Sequence, residues 1–367
     1  MKKLLGACVA ATVAVLVQAT AQAQDLNGLL NNVDFTFGGY GTVGTVHSST
    51  DAAQFVNGTE PKGAGNGFSE NVDSNLGVQA TARFNSWLSV TAQGLWNSST
   101  LTDPISWAYV KLDPVENLSI KLGKIEMPLF QVSDSRDIGY ANTWLRAPNE
   151  VYSLAGIEQL TGGEISYTLP IGVTHLTLTG YGGNSFFSTQ TGALAGTHIN
   201  AWDVHGGEVR WDTPWVALRY GIATTENEVA PNNHDKYTFE SLGASVDRDN
   251  VVAMVEWVKR YDVGYPTIVD SIGWYVFGGY HIGKFTPYAS YATTTKQKPM
   301  FALYALSQDQ DTTAIGVRWD AFKSADLKFQ LERVDPRGTT GASFVHPTAD
   351  FGNSTVTVAS LTLDFIF

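Results

Sequence analysis

Charged side chains in this 367-residue chain recur at alternate positions inside apolar stretches. Arg83, Lys111, Lys121, Glu164, Glu208, Arg210, Arg219, Glu256, Arg318, Glu332 and Asp364 all sit in such a pattern. Alternation places them on one face of a strand, because successive side chains point to opposite sides. A dry core cannot take so many charges without a heavy desolvation cost. Fixed charges that line water can instead sort ions by sign and size. Bond-making chemistry finds less support. Gly39-Tyr40-Gly41-Thr42-Val43-Gly44 has GxGxxG spacing, but it runs on into Val46-His47-Ser48. The dinucleotide motif needs a following helix; glycines that let a strand bend or touch a neighbour explain the spacing better. Asp309-Gln310-Asp311 lacks the glycine turn and distant glutamate of a calcium loop. The seven histidines show neither HxxxH nor HExxH spacing, so neither a metal nor a cofactor is expected. No serine stands in a recognisable nucleophile context.

The elements that carry these charges read as strands. Leu76, Val78, Ala80 and Ala82 oppose Asn75, Gln79, Thr81 and Arg83; Ile315, Val317 and Trp319 oppose Arg318 and Asp320. About sixteen such segments lie near 33–47, 72–85, 87–97, 104–112, 117–125, 160–169, 171–182 and 201–213, then 214–225, 236–247, 250–262, 269–283, 284–294, 310–320, 324–335 and 353–367. Their connections alternate between tight turns, such as Asp113-Pro114-Val115-Glu116, and long loops at 48–71, 126–159, 183–200, 226–235, 295–309 and 336–352. Short turns on one side and long loops on the other belong to outer-membrane barrels. Apolar faces would then meet lipid, with Trp87, Trp96, Trp107, Trp202, Trp211, Trp215, Tyr220 and Trp319 as aromatic girdles near strand ends. An even strand count puts both termini at the short-turn, periplasmic side. The expected fold is all-β: a transmembrane antiparallel β-barrel of about sixteen strands, with a long inward-folded loop after the fifth.

Residues 1–23 read as a cleaved signal peptide: Lys2 and Lys3, the apolar run Leu4–Val17, then Ala21-Gln22-Ala23 as a small-residue cleavage site. The barrel is expected over 24–367. Cleavage would remove Cys8, the single cysteine, so disulfides and thiolate metal sites are not expected. It would leave 21 basic and 35 acidic residues, a net charge of −14 that argues against nucleic acid. No later segment offers 18 uninterrupted apolar residues, as a membrane-spanning helix would.

The last strand, Leu361-Thr362-Leu363-Asp364-Phe365-Ile366-Phe367, puts Leu361, Leu363, Phe365 and Phe367 on one face. Here the chain resembles the Gram-negative porins, whose C-terminal strand ends in Phe and is read by the barrel-assembly machinery. A second resemblance is positional. The longest connection, Glu126–Gln159, follows the fifth strand, as does the inserted loop of general porins, and is preceded by Leu122-Gly123-Lys124. Many such porins have Leu-Gly-Arg there; Lys is a point charge, not a planar fork, so a fixed arginine ladder at that site is not expected. The run DSNLGVQATARFNSWLSVTAQ followed by WAYVKL looks like predicted proteobacterial porins of undefined substrate.

The resemblance implies a water-filled channel for passive diffusion of small hydrophilic solutes and ions, without catalysis, in a homotrimer in outer-membrane lipid. It implies that the inserted loop faces a charged wall and narrows the pore. Asp134, Arg136, Asp137, Arg146 and Glu150 are the loop candidates; Arg83, Lys121, Lys124, Arg210, Arg219 and Arg318 are the wall candidates. Two alternatives stay open. One is a substrate-specific channel with Trp144, Tyr140 and Tyr152 as an aromatic slide. The other is an outer-membrane barrel enzyme, which usually has fewer strands and a plugged interior.

Overall fold

The computed structural model describes residues 33–58, 62–98, 104–155, 157–188, 198–230, 233–262, 270–296 and 309–367. In chain order its first strands are β1 (Asp34–Ser48), β2 (Gln54–Phe55), β3 (Asn75–Arg83), β4 (Leu88–Trp96), β5 (Ile105–Val115) and β6 (Leu118–Glu126). Next come β7 (Gln159–Ile171), β8 (Thr174–Ser188), β9 (His198–Asp212), β10 (Val216–Ala230), β11 (Asn233–Arg248) and β12 (Val251–Asp262). The last are β13 (Ser271–Tyr280), β14 (Phe285–Lys296), β15 (Gln310–Trp319), β16 (Ala325–Asp335), β17 (Phe344–Val345) and β18 (Val356–Ile366). All except β2 and β17 form one closed antiparallel barrel of sixteen strands. The signal-peptide segment lies outside the described residues.

Alternation sets the two faces. On β10, Leu218, Tyr220 and Ile222 point outward and are exposed while Arg219 between them is buried. Trp87, Trp96, Trp202, Trp211, Trp215, Tyr220 and Trp319 all lie on the exposed outer surface, as girdle residues should. Trp107 does not. It shares its side with Tyr109 and Lys111, and its indole N–H donates to Glu126 at 3.2 Å. Position near a strand end suggested a girdle residue; strand parity excludes it.

Turns at the short-loop end use residues that tolerate left-handed backbone. Asn117, Asp249, Gly172 and Gly283 have φ of 67°, 55°, 63° and 62°, values that tight hairpins demand. At the other end two expectations fail: the loop expected at 183–200 is shortened, because β8 continues to Ser188 and β9 begins at His198. Residues 226–235 are not a long loop, because β10 continues to Ala230 and β11 begins at Asn233. Cross-strand pairing persists out to Ala230↔Asn233 with a register shift near Glu228. Loops 49–74 and 336–355 also hold hidden structure. They pair as β2 and β17, Phe344 opposite Phe55, over a cluster with Val46, Val334 and Val358.

The barrel closes through β1 and β18, in register from Tyr40↔Ile366 to Ser48↔Val358. This seam accounts for the GxGxxG spacing. A Cβ on Gly41 would lie 2.6 Å from the Phe365 ring, and one on Gly39 would strike the Phe367 ring and the Gly77 carbonyl. The two glycines make the seat for the terminal aromatics.

A candidate channel and its inserted loop

Gly123 decides where the loop begins. Its φ of +138° and the Ala108 carbonyl beside it exclude any side chain. Three residues later β6 ends, and the chain from Met127 to Glu158 turns into the barrel before rejoining at β7. It contains short turns at Ser133–Ser135 and Gly139–Ala141 and a one-turn helix, Asn149–Tyr152.

Apolar residues dock this loop on the wall opposite its origin. Phe130, Trp144, Val151, Tyr152 and Leu154 form one buried cluster with Phe239, Tyr275, Phe277 and Tyr288 of β11–β14. Phe130 stacks on Tyr152 at 4.4 Å between centroids, and Trp144 meets Phe277 edge-on at 5.2 Å. Such pairs add about 0.5–1.5 kcal/mol each beyond area burial. The helix lies on β13 at Gly273, where any Cβ would strike the Glu150 carbonyl.

Buried polar groups then fix the loop's position. Arg146 donates to both oxygens of Asp73, at 3.0 and 2.6 Å, to Ser360 at 2.6 Å, and to Glu332. Burial opposes that charge, but Asp73 and then Glu332 outweigh it and hold the guanidinium above its usual range. Glu256 accepts from the Gln131 amide at 2.8 Å, Tyr152 at 3.1 Å and Tyr275 at 3.2 Å. Glu150 accepts from Gln310 at 2.6 Å and from Thr312. Its carboxyl is pushed up by burial, against the pull of those two donors. Asn149 donates to the Val56 carbonyl at 2.9 Å and to Ser343 at 3.0 Å, joining the loop to the β2–β17 region.

Wall cations serve the loop's backbone. Arg219 donates to the Pro128 carbonyl and to Glu208. Arg318 donates to the carbonyls of Tyr140 at 2.8 Å and Asn142 at 2.9 Å, with its guanidinium 5.1 Å over the Tyr140 ring. Lys328 bridges the Gly139 carbonyl at 2.5 Å and Asp364 at 2.9 Å. The tip goes deeper still: Tyr140 donates to the Lys323 carbonyl, in the turn between β15 and β16, at 3.0 Å.

Two sequence expectations change here. Charges on the polar strand faces were expected to line water; Arg219, Glu256 and Asp364 are instead buried and hydrogen-bonded beneath the loop. Trp144 and Tyr152 were candidates for an aromatic slide, but both are buried in the loop–wall cluster. Both shifts have one cause: the loop covers the β10–β18 side of the lumen. Asp73, Lys328 and Gln310 were not among the candidates. Parity did carry a signal for Lys328, which alternates with Gln330 and Glu332.

The chain's sequence over residues 10–346 matches the family model of the Gram-negative porins. It belongs to the Gram-negative porin family. A search of curated proteins by sequence found no match. Solved structures with the same fold include an anion-selective porin from Comamonas acidovorans, 14% identical, TM-score 0.58, covering 91% of this chain and 100% of that one. OmpF of Salmonella typhi in complex with daunomycin is 13% identical, TM-score 0.58, covering 92% and 98%. A trimer form of OmpT, an outer-membrane protein of Vibrio cholerae, is 12% identical, TM-score 0.53, covering 91% and 99%. The protein is thus an outer-membrane porin channel.

In this porin, the remaining candidate charges fall on the opposite side of the lumen. Lys121 pairs with Glu164 at 2.9 Å and lies 5.7 Å over the Tyr109 ring. Arg210 pairs with Asp212 at 3.0 Å. Arg83 is exposed at the end of β3. On the loop, Arg136 holds Glu158 through both nitrogens and Asp137 at 3.5 Å. Asp134 is exposed, and its charge acts on both Lys121 and Glu208. Lys124 stands apart. It is in register with Ala108 and Thr161, on the side of outward Leu122, and donates to the Ile105 carbonyl at 2.5 Å. Among the described residues, no group of His, Cys, Asp or Glu is arranged to hold a metal ion.

Proposed function

We propose that this porin passes small hydrophilic solutes and ions by passive diffusion along a water-filled lane between the inserted loop and the β3–β9 wall. One observation carries this reading. The loop buries its apolar side against β11–β14, while Asp134, Asp137 and Glu158 on the loop and Arg83, Lys111, Lys121 and Arg210 on the wall keep exposed surface. Charges that stay wet on two facing surfaces act on a permeating ion; charges buried under the loop do not. The constriction is accordingly assigned to Asp134, Arg136 and Asp137 against Lys121 and Arg210. Arg146, Glu150, Arg219 and Arg318 hold the loop in place, and Lys124 has no part in the lumen. No catalytic step enters this reading.

Three further features belong to the same proposal. Residues 1–23 direct export and are removed; the C-terminal aromatics present the chain to the barrel-assembly machinery; and three copies assemble in outer-membrane lipid. Support for the last comes from the trimer form of the Vibrio cholerae protein. Single-channel recording of the refolded protein in planar bilayers tests the main claim. Stepwise conductance without block by any one sugar or amino acid is expected, and its absence would sink the reading. Mass measurement in detergent, expected at three chains, tests the assembly.

A further inference from the structure

Nothing within the chain requires Gly278 to be a glycine. A Cβ built there would meet no atom within 4 Å, and among the described strand glycines it is alone in this. Its backbone is not left-handed. The pairing Ala253↔Gly278↔Ala289 runs on without a shift, so there is no bulge. Glycine weakens a strand interior, and otherwise marks a place where a ligand or another backbone comes close. On the outer, lipid-facing side, Ala253, Gly278 and Ala289 form a row without bulk, three strands wide, between Val246 and Ile315. With the next outward row, Val251, Tyr280 and Pro287, it frames a shallow notch of about 440 Å³. At about 4.8 Å between strands the notch is roughly 10 Å across, room for a hydrocarbon chain.

Aromatic pairs bracket the notch. Trp274 and Tyr291, with ring centroids 5.5 Å apart, lie further from the short turns; Phe285 and Trp319, 5.8 Å apart, lie nearer. All four are exposed on the outer surface, the arrangement of a lipid-facing band. At the turn side of the notch Arg248, Val251 and Tyr280 stand in register on β11, β12 and β13. Arg248 lies 4.8 Å over the Trp215 ring and keeps 58% of its side-chain surface exposed; its contact with Asp249 is long, at 3.6 Å. Asn250 donates to the Tyr280 hydroxyl at 3.5 Å. An apolar notch that ends on an arginine and a tyrosine follows the order of a phospholipid, chain and then phosphate, and the guanidinium fork suits a phosphate. We propose that the notch seats one acyl chain of a phospholipid of the periplasmic leaflet, with Arg248 and Tyr280 meeting its phosphate. The seat lies on the barrel's outer face and is independent of how solutes pass through the lumen.

Gly278→Leu tests this by filling the notch from within, where the open space accepts the side chain. The refolded protein is placed in nonionic micelles doped with dioleoylphosphatidylglycerol, and retained lipid is counted by native mass spectrometry. The unsubstituted protein should keep one phospholipid per chain. Displacing roughly two methylenes should weaken retention in Gly278→Leu about ten-fold. Ala289→Leu, on the neighbouring strand, should do the same and serves if Gly278→Leu does not give a folded band. Arg248→Gln should lower retention of phosphatidylglycerol several-fold and leave that of dioleoylglycerol, which has no phosphate, unchanged. Single-channel conductance should stay that of the unsubstituted protein in all three variants. Equal phosphatidylglycerol retention with the notch open and filled overturns the seat, as does an unsubstituted protein that keeps no lipid. A change in the number of chains per particle in Gly278→Leu, with lipid retention unaltered, also overturns it and gives the notch to a second copy of the chain.

Discussion

Arg146 shows how a residue's chemistry depends on what covers it. As a loop guanidinium in sequence it was a candidate for facing solutes; in the fold it has Asp73, Glu332, Ser360 and the Phe55 ring around it. Arg146→Met would leave two buried carboxylates without their cation, which typically costs about 3–5 kcal/mol. Since the barrel's own ladder is untouched, the loss should appear as a loosened loop. The expected outcome is faster protease cleavage within 127–158 and larger, noisier single-channel currents. Glu150 makes a pH prediction. Its carboxyl is raised by burial, so the docked loop favours the protonated form. That contribution is complete below the ordinary glutamate range and is lost as pH rises through the elevated value. Loop protection from protease should therefore fall toward alkaline pH, and Glu150→Gln should flatten the profile. A wild-type profile without slope contradicts the assignment. None of this was legible from residue type alone, because Asp73 and Glu332 lie 73 and 186 positions from Arg146.

At the scale of elements the sequence spoke more clearly. Period-two alternation located every barrel strand, most of their ends within a few residues, since each must show one face to lipid and the other to the lumen. It failed where that requirement lapses. Beyond the bilayer a hairpin can go on pairing without an apolar face, so β8 and β9, and likewise β10 and β11, ran past their expected ends. The loop's position after the fifth barrel strand was legible, but the route it takes inside was not, because apolar loop residues do not say which wall they will meet. Two glycines carry much of that route. Gly123→Ala would force a side chain into left-handed backbone against the Ala108 carbonyl. A several-fold loss of the folded, heat-modifiable band on gels is expected. Gly273→Val instead lifts the Asn149–Tyr152 helix from β13; the barrel should still fold, with altered conductance. If Gly273→Val leaves conductance unchanged, the helix is not part of the lane's boundary.

For the whole molecule, the loop changes what the barrel is. Sixteen strands alone enclose an aqueous channel, and the sequence pointed to that tube. The structure adds a partition: one side of the lumen is packed with buried side chains, while on the other charged side chains keep exposed surface. Tyr140 reaches the turn between β15 and β16, while Arg146 and Asn149 reach the strands and loops on either side of the seam. A hollow ring of strands deforms most easily by flattening into an ellipse, which needs little stretching of any hydrogen bond. The loop works against that mode as a spoke works in a wheel, because flattening must pull or crush a segment fixed at both ends. The pore should thus hold its cross-section as bilayer thickness and lateral pressure vary. Unit conductance nearly constant across lipids of different chain length, and variable in Arg146→Met, would be the mechanical signature of the spoke.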